Sequence, residues 1–282
     1  MPLLYNKGML RKIIKIILIF IFGLGIFCLI LKSEFFIFSE KGELVFFDVG
    51  QGDSALIKTP SKQLILIDGG PDNLLLRRLG DYLPFYHRRI DVVIFSHYHD
   101  DHITGLLELI SRYRVNKIIY APTNFSSPAL DGLMKIVDNK ELSVELIYGT
   151  ARLEIDSNCF IDLLNPDSLG IEEDENNSLY ARLNCGGQTV LFTGDSDYRA
   201  ERAVIASGWN VQANILKGSH HGSKTANSME FLKMVKPKLM VVSVGADNKF
   251  GHPHPDVLDR AADLGIDIKR TDEAGNIKIL ID

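Results

Sequence analysis

The chain has 282 residues, a formal net charge of -5 and 46% hydrophobic residues. That length fits one large domain or two small ones, and the apolar content suffices for a sizeable core. The mild acidity argues against a broad basic surface for duplex nucleic acid, because such surfaces set Lys and Arg against phosphates. It leaves room for a local phosphate site built on metal. Three scattered cysteines, Cys28, Cys159 and Cys185, exclude a disulfide scaffold or a cysteine-rich zinc module. Cys159 and Cys185 are expected as buried thiols that can pair only if the domain is exported.

Residues 13–31 read as a transmembrane anchor, since Ile16 to Leu31 contains only apolar residues and glycine. Residues 1–12 form a basic tail, and residues 32–41 a tether. Lys7, Arg11, Lys12 and Lys15 precede the apolar run, while Lys32 and Glu34 cancel after it. The positive-inside rule then puts the N-terminus in the cytoplasm and the rest of the chain outside. The run ends without the small residues of a signal-peptidase site, so an uncleaved anchor is expected. Phe27 ahead of Cys28 disfavours lipidation there.

The globular part spans residues 42–282. Glu43–Val49, Ala55–Thr59 and Leu64–Ile67 read as strands, with turns at Gly50–Asp53 and Pro60–Ser61. A helix is expected over Pro71–Leu83, a buried strand over Asp91–Ser96, and a helix over Thr104–Tyr113. Lys117–Ala121 reads as a strand and Pro128–Asn139 as a helix capped by Ser127. Strands are expected next at Ser143–Tyr148, Cys159–Leu164, Leu179–Asn184 and Gln188–Thr193, the last two joined by Gly186-Gly187. The acidic stretch 172–177 between them reads as a solvated loop. The remainder alternates: helix Ser196–Ser207, strand Ala213–Lys217, helix Ser228–Val235, strand Leu239–Val244, helix Asp256–Leu264, strand Ile277–Ile281. Hairpins first and alternating units later imply mixed sheets covered by helices.

Seven of the eight histidines fall in three clusters, each after an apolar strand, where α/β sheets place their sites. The first is His97-Tyr98-His99-Asp100-Asp101-His102. His97 and His99 can converge on one ion, and Asp101 and His102, at the turn into a helix, on a second. Mixed imidazole and carboxylate ligands suit zinc, manganese or iron. The second is His220-His221-Gly222-Ser223-Lys224, and the third is His252-Pro253-His254. The third reads equally well as a rigid proline-bounded loop. Asp68 and Asp195 each end an apolar strand, where a carboxylate can serve a metal pair. A plain hairpin turn explains Gly50–Asp53 as well as a site role does. His87 reads as a surface residue.

With these residues in place, the sequence resembles the metallo-β-lactamase superfamily. His97-x-His99-x-Asp101-His102, Asp68, Asp195 and the His220-His221 pair match its metal motifs in order. Phe47 to Ser54, Asn176 to Leu179, His220 to Lys224 and Gly251 to Pro255 resemble more narrowly the C-terminal hydrolase domain of ComEC-type competence proteins. The resemblance implies an α/β fold, an αββα sandwich preceded here by one transmembrane helix, with a dinuclear site at the sheet ends. Two differences from the family stand out. One candidate spanning helix is not expected to form a channel alone. No histidine lies between His102 and Asp195, where Asn176 and Asn177 stand instead, which leaves the His97/His99 ion one ligand short: the site is weak, completed by substrate, or helped by His254.

The resemblance further implies a metal-dependent hydrolase holding two divalent ions, zinc or manganese. On that reading Asp195 bridges them, His97 and His99 serve one, and Asp101, His102 and His220 serve the other. Asp68 orients the attacking water. Ser223 and Lys224 hold a phosphate, His252 or His254 protonates the leaving oxygen, and His221 and Asn177 are further substrate contacts. The expected substrate is a phosphodiester such as DNA outside the cytoplasm. Another ester, such as a phosphocholine or wall-polymer ester or a lactone, is a second reading. A non-catalytic nucleic-acid-binding module of a DNA-uptake system is a third.

Overall fold

A computed structural model describes residues 7–38, 41–171 and 177–281. Residues 1–6 of the basic tail, residues 39–40 of the tether and the loop residues 172–176, Asn176 among them, lie outside this set. The chain divides into two compact units, residues 1–39 and 40–282.

The first unit is helix α1, Lys7–Phe38, which continues through most of the stretch read as a tether. Its segment Arg11–Leu29 has a mean hydropathy of 2.5, and every described side chain there is exposed. At about 1.5 Å per residue that segment approaches the roughly 30 Å of a bilayer's hydrocarbon. By length and composition it can cross a membrane.

The second unit is built on two seven-stranded sheets. The first takes β1 (Gly42–Phe46), β2 (Ala55–Lys58), β3 (Leu64–Ile67), β4 (Arg89–Ile94), β5 (Arg114–Tyr120) and β6 (Ser143–Leu146). The second takes β7 (Thr150–Asp156), β8 (Cys159–Leu164), β9 (Tyr180–Cys185), β10 (Gln188–Phe192), β11 (Ile215–Lys217), β12 (Leu239–Val242) and β13 (Asp267–Arg270). The last strand, β14 (Ile277–Ile281), returns to pair antiparallel with β1. Strands β3 to β6 run parallel, linked through α2 (Leu74–Tyr82), α3 (Asp100–Arg112) and α4 (Pro128–Asn139). Strands β10 to β13 run parallel, linked through α5 (Tyr198–Ser207), α6 (Met229–Val235) and α7 (Pro255–Asp263). Parallel crossovers are right-handed, so each helix set lies on one face of its sheet. The expected αββα layering results, with a short helix α8 (Thr271–Ala274) before β14.

Strand alternation sets the core. Phe46, Ile57, Ile65, Ile67 and Ile94 of the first sheet meet Ile161, Leu183, Val190, Phe192 and Ile215 of the second. The Phe46 and Phe192 ring centroids lie 5.8 Å apart. Neighbours such as Leu64, Leu66 and Val93 are buried as well, on the other face. Burial on both faces explains the unbroken apolar runs at strand positions. Outside the second sheet, Leu191, Leu216 and Met240 pack with Val204 of α5, Phe231 of α6 and Val257 of α7.

The frame differs from the sequence-based expectation at two points. Cys159 and Cys185 are not free thiols: they stand opposite each other on β8 and β9 and form a disulfide. Strands β7 and β13 and helix α8 had no counterpart among the expected elements.

Candidate metal centre

The strand ends β3, β4, β10 and β11 deliver Asp68, Ser96-His97, Asp195 and the His220-His221 pair, and α3 supplies Asp101 and His102 in its first turn. Close backbone approach makes the gathering possible. A side chain on Gly52 would stand 2.3 Å from the Asp101 carbonyl oxygen, and one on Gly105 would stand 2.0 Å from that of Gly69. Only glycine lets the Gly50–Asp53 turn and the β3 end press against α3.

Two groups of ligand atoms share Asp195, beside a third made by Asp53, Asp68 and His102. Asp101, His102, Asp195 and His221 form one, and His97, His99 and Asp195 the other, with ligand atoms in each group within 4.8 Å of one another. Asp195 belongs to both. Its backbone N–H donates to Ser178 Oγ at 2.9 Å, which fixes the carboxylate between them.

Three of the imidazoles, those of His102, His97 and His221, are aimed by their other nitrogen. His102 Nδ1 lies 3.0 Å from Asp68 Oδ2, and its Nε2 lies 3.3 Å from Asp195 Oδ1. Asp68 also accepts from the Ser96 backbone N–H at 2.7 Å and from Ser96 Oγ at 2.9 Å. Both of its oxygens thus meet His102 or Ser96, so Asp68 orients His102. His97 Nδ1 contacts Ser96 Oγ at 3.0 Å and Ser178 Oγ at 3.3 Å. His221 Nδ1 donates to the Ser243 carbonyl at 3.0 Å, which turns Nε2 to Asp101 Oδ2 at 3.2 Å. Such partners fix tautomer and ring orientation for a metal.

The donor set fits a divalent cation. His97 Nε2, His102 Nε2 and Asp195 Oδ1 are buried and make no hydrogen bond. Buried polar atoms are rarely left unpaired, and three at one point call for a ligand. The electrostatics agree. Burial works against charge on His102, but Asp195, Asp68 and Asp101 raise it well above the ordinary imidazole value. Burial likewise works against His221, which Asp195 and Asp53 raise to about 10. Asp195 is held well below the carboxylate range against its burial by His221 and His102. His97, by contrast, is pushed well down by burial and by His102. The carboxylates that favour a proton on His102 and His221 would equally favour a bound cation, which competes with protons for the same nitrogens.

The structure redistributes several expected roles. His221, not His220, stands in the Asp101 group. Both residues have left-handed backbone, φ 50° and 52°, which throws their rings to different sides. His220 Nε2 lies 3.7 Å from Asp195 Oδ2, is more exposed, and its ring faces His252 at 5.8 Å. Of the third cluster, His252 therefore borders the site. Burial and the charges of His221 and His220 push it down to about 4. His254 caps α7, its Nδ1 accepting from the Asp256 backbone N–H at 3.2 Å, and joins neither ligand group. Asn177 donates to Asp167 Oδ1 at 2.7 Å and, with His97, lines a small cavity. Ser223 Oγ pairs with Thr225 Oγ1 at 3.0 Å inside its own turn, and Lys224 is exposed.

One buried arrangement was missed. Lys217, at the end of β11, stands 2.6 Å from Asp53 Oδ2, and Asp53 Oδ1 stands 3.3 Å from His221 Nδ1. Burial would raise Asp53, but Lys217 and His221 bring it down to about 2. The Gly50–Asp53 turn is thus tied into the floor of the site. A lysine closing an otherwise apolar strand was the available signal.

Comparisons with known proteins agree with this geometry. Residues 47–157 match the family model described as metallo-beta-lactamase superfamily. ComE operon protein 3 of Bacillus subtilis is 28% identical over 85% of this chain and 33% of its own length. Competence protein ComA of Neisseria gonorrhoeae is 28% identical over 85% of the chain and 32% of its own. The chain spans about a third of the length of these relatives. Among solved structures, CmlA, a diiron beta-hydroxylase from Streptomyces venezuelae, superposes with a TM-score of 0.57 at 16% identity, covering 85% of this chain and 54% of that one. At that identity the likeness concerns the fold.

Proposed function

We propose that this chain is a membrane-anchored, metal-dependent phosphodiesterase of the metallo-beta-lactamase superfamily, acting outside the cytoplasm. The observation that carries the hydrolase reading is the pair of ligand groups sharing Asp195, with unpaired buried atoms on His97, His102 and Asp195 itself. His97, His99 and Asp195 would hold one divalent cation, and Asp101, His102, His221 and Asp195 a second. Cations there supply Lewis acidity and a water acidic enough to attack near neutral pH. The chain's own contribution is orientation. Asp68 and Ser96 fix His102, the Ser243 carbonyl and Asp53 fix His221, and Ser178 fixes Asp195. Exposed Lys224, just after the second histidine cluster, supplies positive charge for a phosphate.

The competence relatives support a nucleic-acid diester as substrate, and α1 supports an anchor. The Cys159–Cys185 disulfide favours the oxidising side of the membrane, because cytosolic thiols stay reduced. The full chain in detergent, loaded with manganese or zinc, is expected to cleave bis-p-nitrophenyl phosphate and single-stranded DNA. Asp101→Ala should abolish both activities. Cleavage that survives this change would reject the ligand assignment.

A further inference from the structure

A cleft of about 320 Å³ lies beside the metal centre, lined by Tyr198 and Arg202 of α5, Lys224 and Thr225, Ser228 ahead of α6, and Arg260 of α7. Three cations meet there. The Arg202 guanidinium lies over the Tyr198 ring, 5.1 Å from its centroid. Arg260 donates to its own helix at the Asp256 carbonyl, 2.9 Å, and across to the Lys224 carbonyl, 3.4 Å. Among the described residues, none of the three forms an ion pair. Elsewhere Arg78, Arg89, Arg112, Arg152, Arg199 and Arg270 pair with carboxylates. Two carboxylates stand against the three cations: Glu230 borders the cleft, and buried Glu201, which accepts from the Ser228 N–H, feels the charge of Arg260. Tyr198 is 45% exposed and offers an aromatic face at the same place.

The chain ties this cleft to the metal centre. Tyr198 follows Asp195, and Lys224 follows His221, by three residues each. At about 3.8 Å per residue, the cleft begins within roughly 11 Å of both. An excess of cations around an exposed aromatic ring matches a ligand that alternates phosphates with flat bases.

We propose that the cleft is a subsite for the nucleotides flanking the cut bond of a single-stranded polynucleotide. Arg202, Lys224 and Arg260 take its phosphates, and Tyr198 stacks a base. The proposal rests on the phosphodiesterase reading and adds how a polymer is held. It also separates two substrate classes: a small diester reaches the metal centre and Lys224 without touching Arg202 or Arg260.

The test is fluorescence anisotropy of a labelled single-stranded oligonucleotide with the full chain in detergent. It is run across a salt series in EDTA and again with manganese, beside turnover of bis-p-nitrophenyl phosphate. Each lost single-strand phosphate contact should lower the log–log salt slope by about 0.7, which at 0.1 M salt is roughly fivefold in affinity. Arg202→Ala/Arg260→Ala should therefore weaken binding about 25-fold and flatten the slope by about 1.4. Its bis-p-nitrophenyl phosphate turnover should stay unchanged. Arg202→Lys/Arg260→Lys should recover the slope, which controls for misfolding. Tyr198→Ala should weaken oligonucleotide binding with the slope intact. Unchanged affinity in the double alanine variant overturns the proposal. So does a parallel fall in small-diester turnover, or equal competition by base-free polyphosphate with Tyr198→Ala silent. Absence of hydrolysis in every protein would sink the phosphodiesterase reading instead, and the EDTA binding series would still decide the subsite.

Discussion

Replacing Lys217 with methionine keeps an unbranched side chain, one atom shorter, and removes its charge beneath the metal centre. The Lys217 and Asp53 side chains are 4% and 7% exposed and stand 2.6 Å apart. Removing one member of such a pair strands the other, at a cost of about 3–5 kcal/mol. Asp53 keeps a second partner in His221, 3.3 Å away, so the lower end of about 3 kcal/mol is expected. For a domain of this size that corresponds to a fall in Tm of roughly 6–12 °C. The fluorescence of the sole tryptophan, Trp209, which packs edge-on against buried Tyr180, reports urea unfolding. Lys217→Met/Asp53→Asn should recover most of the loss, because no stranded charge remains. His221 keeps its Asp53 contact in Lys217→Met and loses the charged partner in the double variant, so metal affinity should fall about 10–100-fold in the double variant alone. A loss below about 1 kcal/mol in Lys217→Met, or strictly additive effects in the double variant, would refute the stranded-charge reasoning.

His221→Ala should remove one bound metal per chain, measured by elemental analysis after gel filtration, and His220→Ala should leave the content unchanged. The reverse result would restore the assignment suggested by the motif alone. On the far edge of the first sheet, Glu43 pairs with Lys278 at 2.7 Å and Lys58 at 3.7 Å and accepts from the Tyr82 hydroxyl at 2.6 Å. Burial opposes its ionisation, but Lys278, Tyr82 and Lys58 outweigh it and hold the carboxyl below its ordinary 4.5. Its folded value is the lower one, so its stabilisation is complete above about pH 4.5 and fades as pH drops through the folded value. Urea midpoints of wild type and Glu43→Gln should therefore converge on acidification, and a constant gap would contradict the assignment. Removing the Cys159–Cys185 bond, which closes a separation of 26 residues, should cost about 3.5 kcal/mol by chain entropy. Denaturation with and without reductant measures it, and an unchanged midpoint with confirmed reduction would count against a stabilising bond.

Local signals in the sequence were enough for most of the layering. Helix α4 shows its cap, Ser127, whose Oγ accepts from the Leu130 N–H at 3.1 Å, and its proline at the first helical turn. Strands β3 and β8 show as apolar runs bounded by turns. Strand β7 did not, because it alternates exposed and half-buried residues with charged Arg152, Glu154 and Asp156 among them. Edge strand β13, Asp267–Arg270, is similarly half exposed and carries charges. The ligand set was legible because its members cluster within a few residues of one another. The choice between His220 and His221 was not, since it depends on two consecutive left-handed residues. Nor were the partners that orient the imidazoles: Ser96, Ser178, Ser243 and Lys217 are ordinary residue types whose roles come from strands meeting across the sandwich. Asp68 showed as important, but its two oxygens turn out to face His102 and Ser96.

Metal stoichiometry tests the centre most directly. The full chain, loaded with manganese or zinc and freed of excess ion, should retain two ions, and Asp195→Ala should retain none, because both ligand groups share that carboxylate. A wild-type chain that holds no metal, or an Asp195→Ala chain that still holds two, would contradict the shared centre.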